Sequence, residues 1–220
     1  MKIPDWLFDL FPFLLKRKKK AIRVELESVF QERWIIVTNK LHVEDILQPK
    51  FRVSEPRGAF HQNGEIMISY SEIFKSNEEL FKTIDHEIAH YIQYSKNLRV
   101  RKTYRAAILG VFYWFLTGRL NSALAKKAFK EGFATYVAHL TSGKLNTAVE
   151  RSIKIIQSGK RWKMLLNTKI LPYVLGYLAY SAIAQTKSED QAIQLGLSAD
   201  LSEWVSESRD AFTKLGKHHM

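Results

Sequence analysis

Apolar residues recur at helical spacing in one stretch of the first half of the chain. Leu80, Ile84, Ile88 and Tyr91 follow one another at intervals of three or four residues, which places them on one face of a helix. The preceding Ser76-Asn77-Glu78-Glu79 has the spacing of a capping box, with serine at the N-cap and a glutamate three residues later. The pattern therefore predicts an amphipathic helix that begins at this serine.

Upstream of that helix, the pattern changes to the alternation typical of strands. Residues 51–54 and 65–70 alternate between apolar and polar side chains. Asn63-Gly64 lies between them and is a strong turn signal, so we expect the two strands to form a hairpin. A first strand is predicted at residues 22–26. Together these segments predict a small sheet in the N-terminal third of the chain.

The remainder of the chain has the pattern of helices. A run at 123–140 starts after Asn-Ser and ends at Ser-Gly, both common helix boundaries. Residues 147–150, Thr-Ala-Val-Glu, have capping-box spacing and open a short helix. The apolar stretch 170–184 is expected in the core, and 198–212 is expected to form a final amphipathic helix. These elements predict an α+β fold in which packed helices follow a small sheet.

The composition indicates one domain with a basic surface. The chain has 220 residues, of which 34 are Lys or Arg and 22 are Asp or Glu, and it contains no cysteine. Disulfides and cysteine-based zinc sites are therefore excluded. The positive charge favours an anionic partner. No nucleic-acid-binding motif accompanies it, so nucleic acid is not the expected partner.

An apolar and basic segment, residues 1–20, precedes a single expected domain at residues 21–220. Trp6 to Leu15 are mostly apolar, and five basic residues, 16–20, follow at once. The apolar part is much shorter than the ~20 residues that span a bilayer. Three interpretations remain open: a helix on an anionic membrane surface, a segment over the active site, or a docked helix with a solvated basic end. We expect a cytoplasmic protein, with peripheral membrane association as an open alternative.

A second apolar segment, residues 106–117, is bounded by Arg105 and Arg119. As a helix it would extend only ~18 Å, too short to cross a membrane by itself. A buried core helix is the usual explanation for a run of this length. Contact with lipid, or a hydrophobic lid beside the active site, remain alternatives.

The candidate chemistry lies on the first predicted helix, where residues 86–90 read His-Glu-Ile-Ala-His. His86 and His90 project from one face about 6 Å apart along the axis, a spacing that suits two ligands of one metal ion. Glu87 is rotated by roughly 100° from the first histidine, so it lies beside the metal and can act as a general base. The pattern is typical of a zinc hydrolase.

A zinc site of this kind needs a third protein ligand, and Glu131 on the predicted 123–140 helix is the strongest candidate. A carboxylate oxygen there leaves the fourth position for water. His139 cannot bind the same ion, because eight residues of helix separate it from Glu131 by about 12 Å. Thr135, one turn beyond Glu131, is a candidate for orienting a ligand.

The two motifs, HEIAH and the later EGFATY that contains Glu131, resemble the gluzincin metallopeptidases, especially the aminopeptidase N type enzymes and the minigluzincins. The resemblance covers roughly residues 50–185 and implies a zincin-like fold, bound Zn²⁺ and hydrolysis of a peptide or protein substrate. About forty residues separate His90 from Glu131, roughly twice the spacing in thermolysin-like and aminopeptidase N type enzymes, so an insertion around 100–120 is implied.

The resemblance also implies further roles. Pro172-Tyr173-Val174-Leu175-Gly176 is similar to the family's Tyr-x-x-Gly string, which gives Tyr173 the role of stabilising the oxyanion. The alternative is that Tyr173 is a core aromatic residue. Segment 65–70 corresponds to the edge strand that pairs with an extended substrate. The glutamate that binds the amino group in aminopeptidases is absent near His61, which favours an endopeptidase or an enzyme of narrower specificity.

A different class of function remains open. The zinc group could belong to a module that binds a membrane surface or nucleic acid without hydrolysing peptides. The open fourth coordination position argues against this alternative, because structural zinc usually has four protein ligands. The sequence does not predict an oligomeric state.

Overall fold

The computed structural model describes residues 12–54, 59–62, 64–69, 76–96, 122–159, 168–198 and 201–214. These ranges contain seven helices and three strands. In chain order they are α1 (Pro12–Leu41), β1 (Lys50–Ser54), β2 (Ala59–Gln62), β3 (Glu65–Ser69), α2 (Asn77–Lys96), α3 (Ser122–Ser142), α4 (Thr147–Gln157), α5 (Leu171–Thr186), α6 (Glu189–Ser198) and α7 (Leu201–Lys214). The predicted α+β class is confirmed in this coarse sense: the fold is mostly helical and has one small sheet.

The predicted strand at residues 22–26 is wrong, because these residues lie inside the 30-residue helix α1. The buried apolar side chains of α1 are spaced by three or four residues, which is the helical period: Leu26, Phe30, Trp34, Val37 and Leu41. A five-residue window contains too little of such a stripe to separate it from strand alternation. Helix α1 packs against α2 and α3, and Phe30 stacks on Phe51 of β1 with ring centroids 4.7 Å apart.

The strands are ordered β1-β3-β2, with β1 parallel and β2 antiparallel to β3. The turn at Gly64, whose φ is 78°, therefore joins β2 to β3. We predicted a hairpin between 51–54 and 65–70. The two segments do pair, as β1 and β3, but they run parallel, so the hairpin is wrong. A tight turn pairs the residues directly beside it, and here these belong to β2 and β3. The predicted edge position of 65–70 is also wrong, since β3 has a partner on each side.

Helices α2 and α3 form the centre of the molecule and run antiparallel. Asp85, early in α2, contacts Thr141 near the end of α3, whereas Tyr94, late in α2, contacts Lys130 in the first half of α3. The predicted start of α2 is confirmed, because the Glu79 amide lies 3.3 Å from the Ser76 hydroxyl that caps the helix. The predicted extent of α3 is also confirmed within two residues.

Helix α5 crosses α3 at a contact between two glycines, Gly132 and Gly176. A Cβ placed on Gly132 would lie 2.2 Å from the Cα of Gly176, and a Cβ on Gly176 would lie 1.9 Å from the carbonyl oxygen of Ala128. No side chain fits at either position without moving a backbone. The crossing therefore needs glycine on both helices, and it brings the start of α5 close to the residue beside Gly132, which is Glu131. Aromatic side chains of α3, α5 and α7 pack against one another in the core: Phe129, Phe133, Tyr180 and Trp204.

Two predicted boundaries are corrected. The N-cap of α4 is Asn146, whose side chain accepts a hydrogen bond from the Ala148 amide, so the N-cap lies one residue before the predicted Thr147 and the predicted capping box is not formed. Asparagine is the stronger capping residue of the two. The predicted final helix 198–212 is also shifted, because Ser198 ends α6 and α7 begins at Leu201. Trp204 is buried as predicted.

Two predicted features lie mainly outside the described residues. These are the apolar part of the N-terminal segment, of which residues 1–11 are outside, and the insertion around 100–120, which falls within residues 97–121. The predictions made for them, including membrane contact, stay predictions. In the described part of the chain, no helix combines the length and the apolar character needed to cross a bilayer.

Candidate metal centre and active-site cleft

The HEIAH pentapeptide lies in the second half of α2, and its two histidines are one helical turn apart. The ring centroids of His86 and His90 are 4.6 Å apart and the rings are nearly perpendicular. The His90 side chain is buried at 6% exposure, whereas His86 retains 17%. The pair therefore faces the interior of the molecule, with the first histidine reaching toward solvent.

The structure brings Glu131 of α3 to these two histidines. Its Oε2 lies 3.1 Å from Nε2 of His90 and 3.5 Å from Nε2 of His86. One ligand atom from each of the three residues lies within 4.8 Å of the others, so this group could hold a metal ion. Forty-one positions separate His90 from Glu131, and the antiparallel packing of α2 and α3 closes that separation.

The electrostatics of the group suit a metal ion. Burial lowers the pKa of His90 to about 4, so its imidazole is neutral at physiological pH. Burial by itself would raise the pKa of Glu131, but the adjacent His90 and hydrogen bonds with both imidazoles hold it well below its usual value. A neutral imidazole and an ionised carboxylate are the forms in which these side chains bind metals.

Glu87 and Tyr173 lie beside this group. Glu87 is 8% exposed, is absent from the three-residue metal group and lines a cleft together with His86. The Tyr173 ring, at the start of α5, stacks on His86 with centroids 5.7 Å apart and planes inclined by 17°. The Gly132–Gly176 crossing accounts for this position, because Tyr173 lies about one turn before Gly176.

The cleft has a volume of about 310 Å³ and opens beside the metal group. Helix α2, the second half of α3, the start of α4 and the start of α5 each contribute to its wall. The lining residues are Lys82, Thr83, His86, Glu87, Thr135, Ala138, His139, Lys144, Leu145, Asn146, Val149, Ile170 and Tyr173. A site with two histidines, two glutamates and a tyrosine at such a cleft can bind a metal ion and transfer protons to or from a bound molecule.

Sequence reasoning missed the ionic cluster that anchors the motif helix. Asp85, directly before the first histidine, is completely buried and forms an ion pair with Arg33 of α1. The Arg33 Nε lies 2.8 Å from the carboxylate, and the Thr141 hydroxyl donates a second hydrogen bond to it at 2.6 Å. The cluster joins three helices, α1, α2 and α3. Arg33 and Thr141 lie 52 and 56 positions from Asp85 in the sequence, so no local pattern indicates the cluster.

His139 and Thr135 also line the cleft. His139 is not part of the metal group, in agreement with the prediction, but it lines the cleft and its ring stands edge-on to Tyr177. Burial lowers the pKa of His139. Thr135 donates its hydroxyl hydrogen to the main-chain oxygen of Glu131 at 2.7 Å, so that bond supports the helix and not the carboxylate.

Comparisons of the chain with protein-family models, with curated proteins and with solved structures found no match.

Proposed function

We propose that this chain is a zinc-dependent peptidase of the gluzincin type, built on a zincin-like fold. The observation that carries the proposal is the convergence of His86, His90 and Glu131 into one group, with Glu87 next to it on an open cleft. Two helices distant in sequence supply this group, and the arrangement is the one that the HEIAH and EGFATY motifs imply.

The donor set supports zinc as the metal. Two imidazole nitrogens and one carboxylate oxygen are ligands that zinc accepts at about 2.0–2.2 Å in tetrahedral geometry. Atoms at these distances from a common ion are roughly 3.4 Å from one another. The distances of 3.1 and 3.5 Å from Oε2 of Glu131 to the two histidine nitrogens lie on either side of that value.

The number of ligands supports a catalytic site. Within the described residues, the group contains three candidate ligands. Structural zinc usually has four protein ligands, whereas catalytic zinc has three and keeps one position for water or substrate. The cleft lined by His86 provides space for both.

The residues around the group have distinct tasks in peptide hydrolysis. When bound, zinc would polarise the substrate carbonyl and lower the pKa of a water molecule. Glu87 accepts the proton of that water as it attacks the carbonyl carbon, and then delivers the proton to the leaving amine. The Tyr173 hydroxyl donates a hydrogen bond to the negative charge that develops on the carbonyl oxygen. The stacking of Tyr173 on His86 supports this role, since it holds the ring beside the metal group.

Strand β2 supports a binding mode for an extended peptide. It is one of the two edges of the described sheet and contacts helix α2. An edge strand can pair with a peptide backbone, independent of the peptide's side chains. The proposed substrate-binding strand is therefore 59–62, in place of the strand 65–70, which is central.

A zinc assay and a peptide digest test the proposal together. We expect the purified chain to bind one zinc ion and to hydrolyse a mixed peptide library only when zinc is bound. Glu87→Gln should keep the zinc and lower kcat by about 10²–10⁴-fold, the usual contribution of a general base. Glu150→Gln, an exposed site on α4, is the matched control and should retain full activity. Zinc binding without hydrolysis, or full activity of Glu87→Gln, would contradict the proposal.

A further inference from the structure

Lys82 lies one turn before His86 on the same face of α2, but the residue is buried, with 6% of its surface exposed. Its Nζ lies 2.8 Å from Oε1 of Glu78, 3.1 Å from Oε1 of Glu79 and 3.1 Å from the carbonyl oxygen of Leu145. An ammonium group has three hydrogens, so these acceptors use all of them. Lys82 therefore links α2 to the main chain at Leu145 and has no hydrogen left for a ligand.

The acceptor on Leu145 belongs to the loop between α3 and α4, residues 143–146, which we call the latch loop. Two more bonds connect this loop to the same glutamates. Lys144 Nζ lies 3.1 Å from Oε2 of Glu78, and Asn146 Nδ2 lies 3.2 Å from Oε2 of Glu79. Lys82 is the buried member of this network, whereas the Lys144 side chain is 68% exposed. Lys82 should therefore contribute most to holding the loop.

The latch loop is also part of the cleft wall. Lys144, Leu145 and Asn146 line the cleft that His86, Glu87 and Tyr173 line as well. The aliphatic members of the cleft wall are Ala138, Leu145, Val149 and Ile170, and the last three of these belong to one apolar cluster. The two lysine charges are neutralised by the two glutamates. The volume of about 310 Å³ is at the small end of ligand cavities.

We propose that Lys82, by holding the latch loop against α2, fixes one wall of the cleft beside the metal group and restricts the cleft to a compact apolar side chain of the substrate. The inference rests on the proposed peptidase function. It identifies Lys82 as a specificity-determining residue. We expect charged side chains of the substrate to be disfavoured, because the lysines of the cleft wall, Lys82 and Lys144, are already paired with glutamates.

Binding measurements test this inference without relying on turnover. In zinc-loaded Glu87→Gln protein, the affinities of labelled peptides that carry Leu, Trp, Asp or Lys next to the scissile bond are measured by fluorescence anisotropy. We expect Leu to be preferred over Trp by about tenfold or more, since pockets discriminate by 10–200-fold on such differences in size. Adding Lys82→Met, which keeps the aliphatic stem, should reduce the ratio of Leu to Trp affinity to about twofold. The same change should accelerate amide hydrogen exchange in the latch loop.

Two further variants make the result decisive. Lys154→Met removes an equally charged side chain from an exposed pair on α4, 72% exposed, and should leave the Leu preference unchanged. Lys144→Met breaks only the exposed bond of the latch and should cause a smaller change in the direction of Lys82→Met. Any of three results would overturn the inference. The Lys82→Met variant could show the same Leu preference, the cleft could prefer Asp or Lys, or the Glu87→Gln protein could bind no peptide. Peptide binding with the expected preference but no hydrolysis by the wild-type chain would instead contradict the peptidase function.

Discussion

Replacement of Arg33 by methionine tests the buried ion pair that anchors the metal-binding helix. The guanidinium contacts both oxygens of Asp85 and lies 3.3 Å from the carbonyl oxygen of Thr141. Asp85 is 0% exposed, so the Arg33→Met variant buries a carboxylate that has lost its counter-ion. Removing one partner from a buried pair costs about 3–5 kcal/mol. This cost is a large part of the roughly 5–15 kcal/mol by which a typical domain is stable.

Urea unfolding followed by tryptophan fluorescence, with EDTA present to exclude metal effects, measures the loss. Arg33→Met should lower the free energy of unfolding by about 3–5 kcal/mol. The double variant Arg33→Met/Asp85→Leu should recover most of it, because an apolar pair of similar volume can replace a buried ion pair. The control is Lys40→Met, which breaks an exposed pair between α1 and Glu189 and should cost about 0–1 kcal/mol. A loss below about 1 kcal/mol for Arg33→Met, or a double variant as unstable as the single one, would refute the reasoning.

Three further changes have definite expected outcomes. Gly176→Ala places a Cβ 1.9 Å from the carbonyl oxygen of Ala128, so it should lower the thermal unfolding midpoint far more than Gly159→Ala. At Gly159 the Cβ meets open space, and only the left-handed φ of 73° opposes it, at about 1–2 kcal/mol. Equal midpoints would contradict the close helix crossing. Glu131→Ala should abolish stoichiometric zinc binding in a dialysis assay while circular dichroism stays helical, and retention of zinc would exclude Glu131 as a ligand. Asn146→Ala removes the cap of α4 and should lower the free energy of unfolding by about 1 kcal/mol in urea titrations, whereas Asn146→Ser, which can cap the helix and places no charge beside Glu79, should keep most of that stability.

Sequence patterns predicted the elements that depend on local interactions. The start of α2 follows from a serine that caps the helix it precedes, and the extent of α3 follows from helix-stop residues such as Gly143, which has φ 72°. The same approach failed for α1, where a short alternating window lies within a 30-residue helix. It failed for the strand order too, because pairing depends on which segments meet in space.

The sequence by itself determined the chemistry available at the site: two histidines one turn apart, a glutamate beside them and a second glutamate on a later helix. Only the tertiary structure decided that His90 and Glu131 meet, that Arg33 anchors the helix through Asp85, and that Lys82 holds the latch loop. The physical reason is the range of the interactions. Helix capping and periodicity act over a few residues, whereas these contacts join positions 41, 52 and 63 residues apart and form only when α1, α2 and α3 pack together.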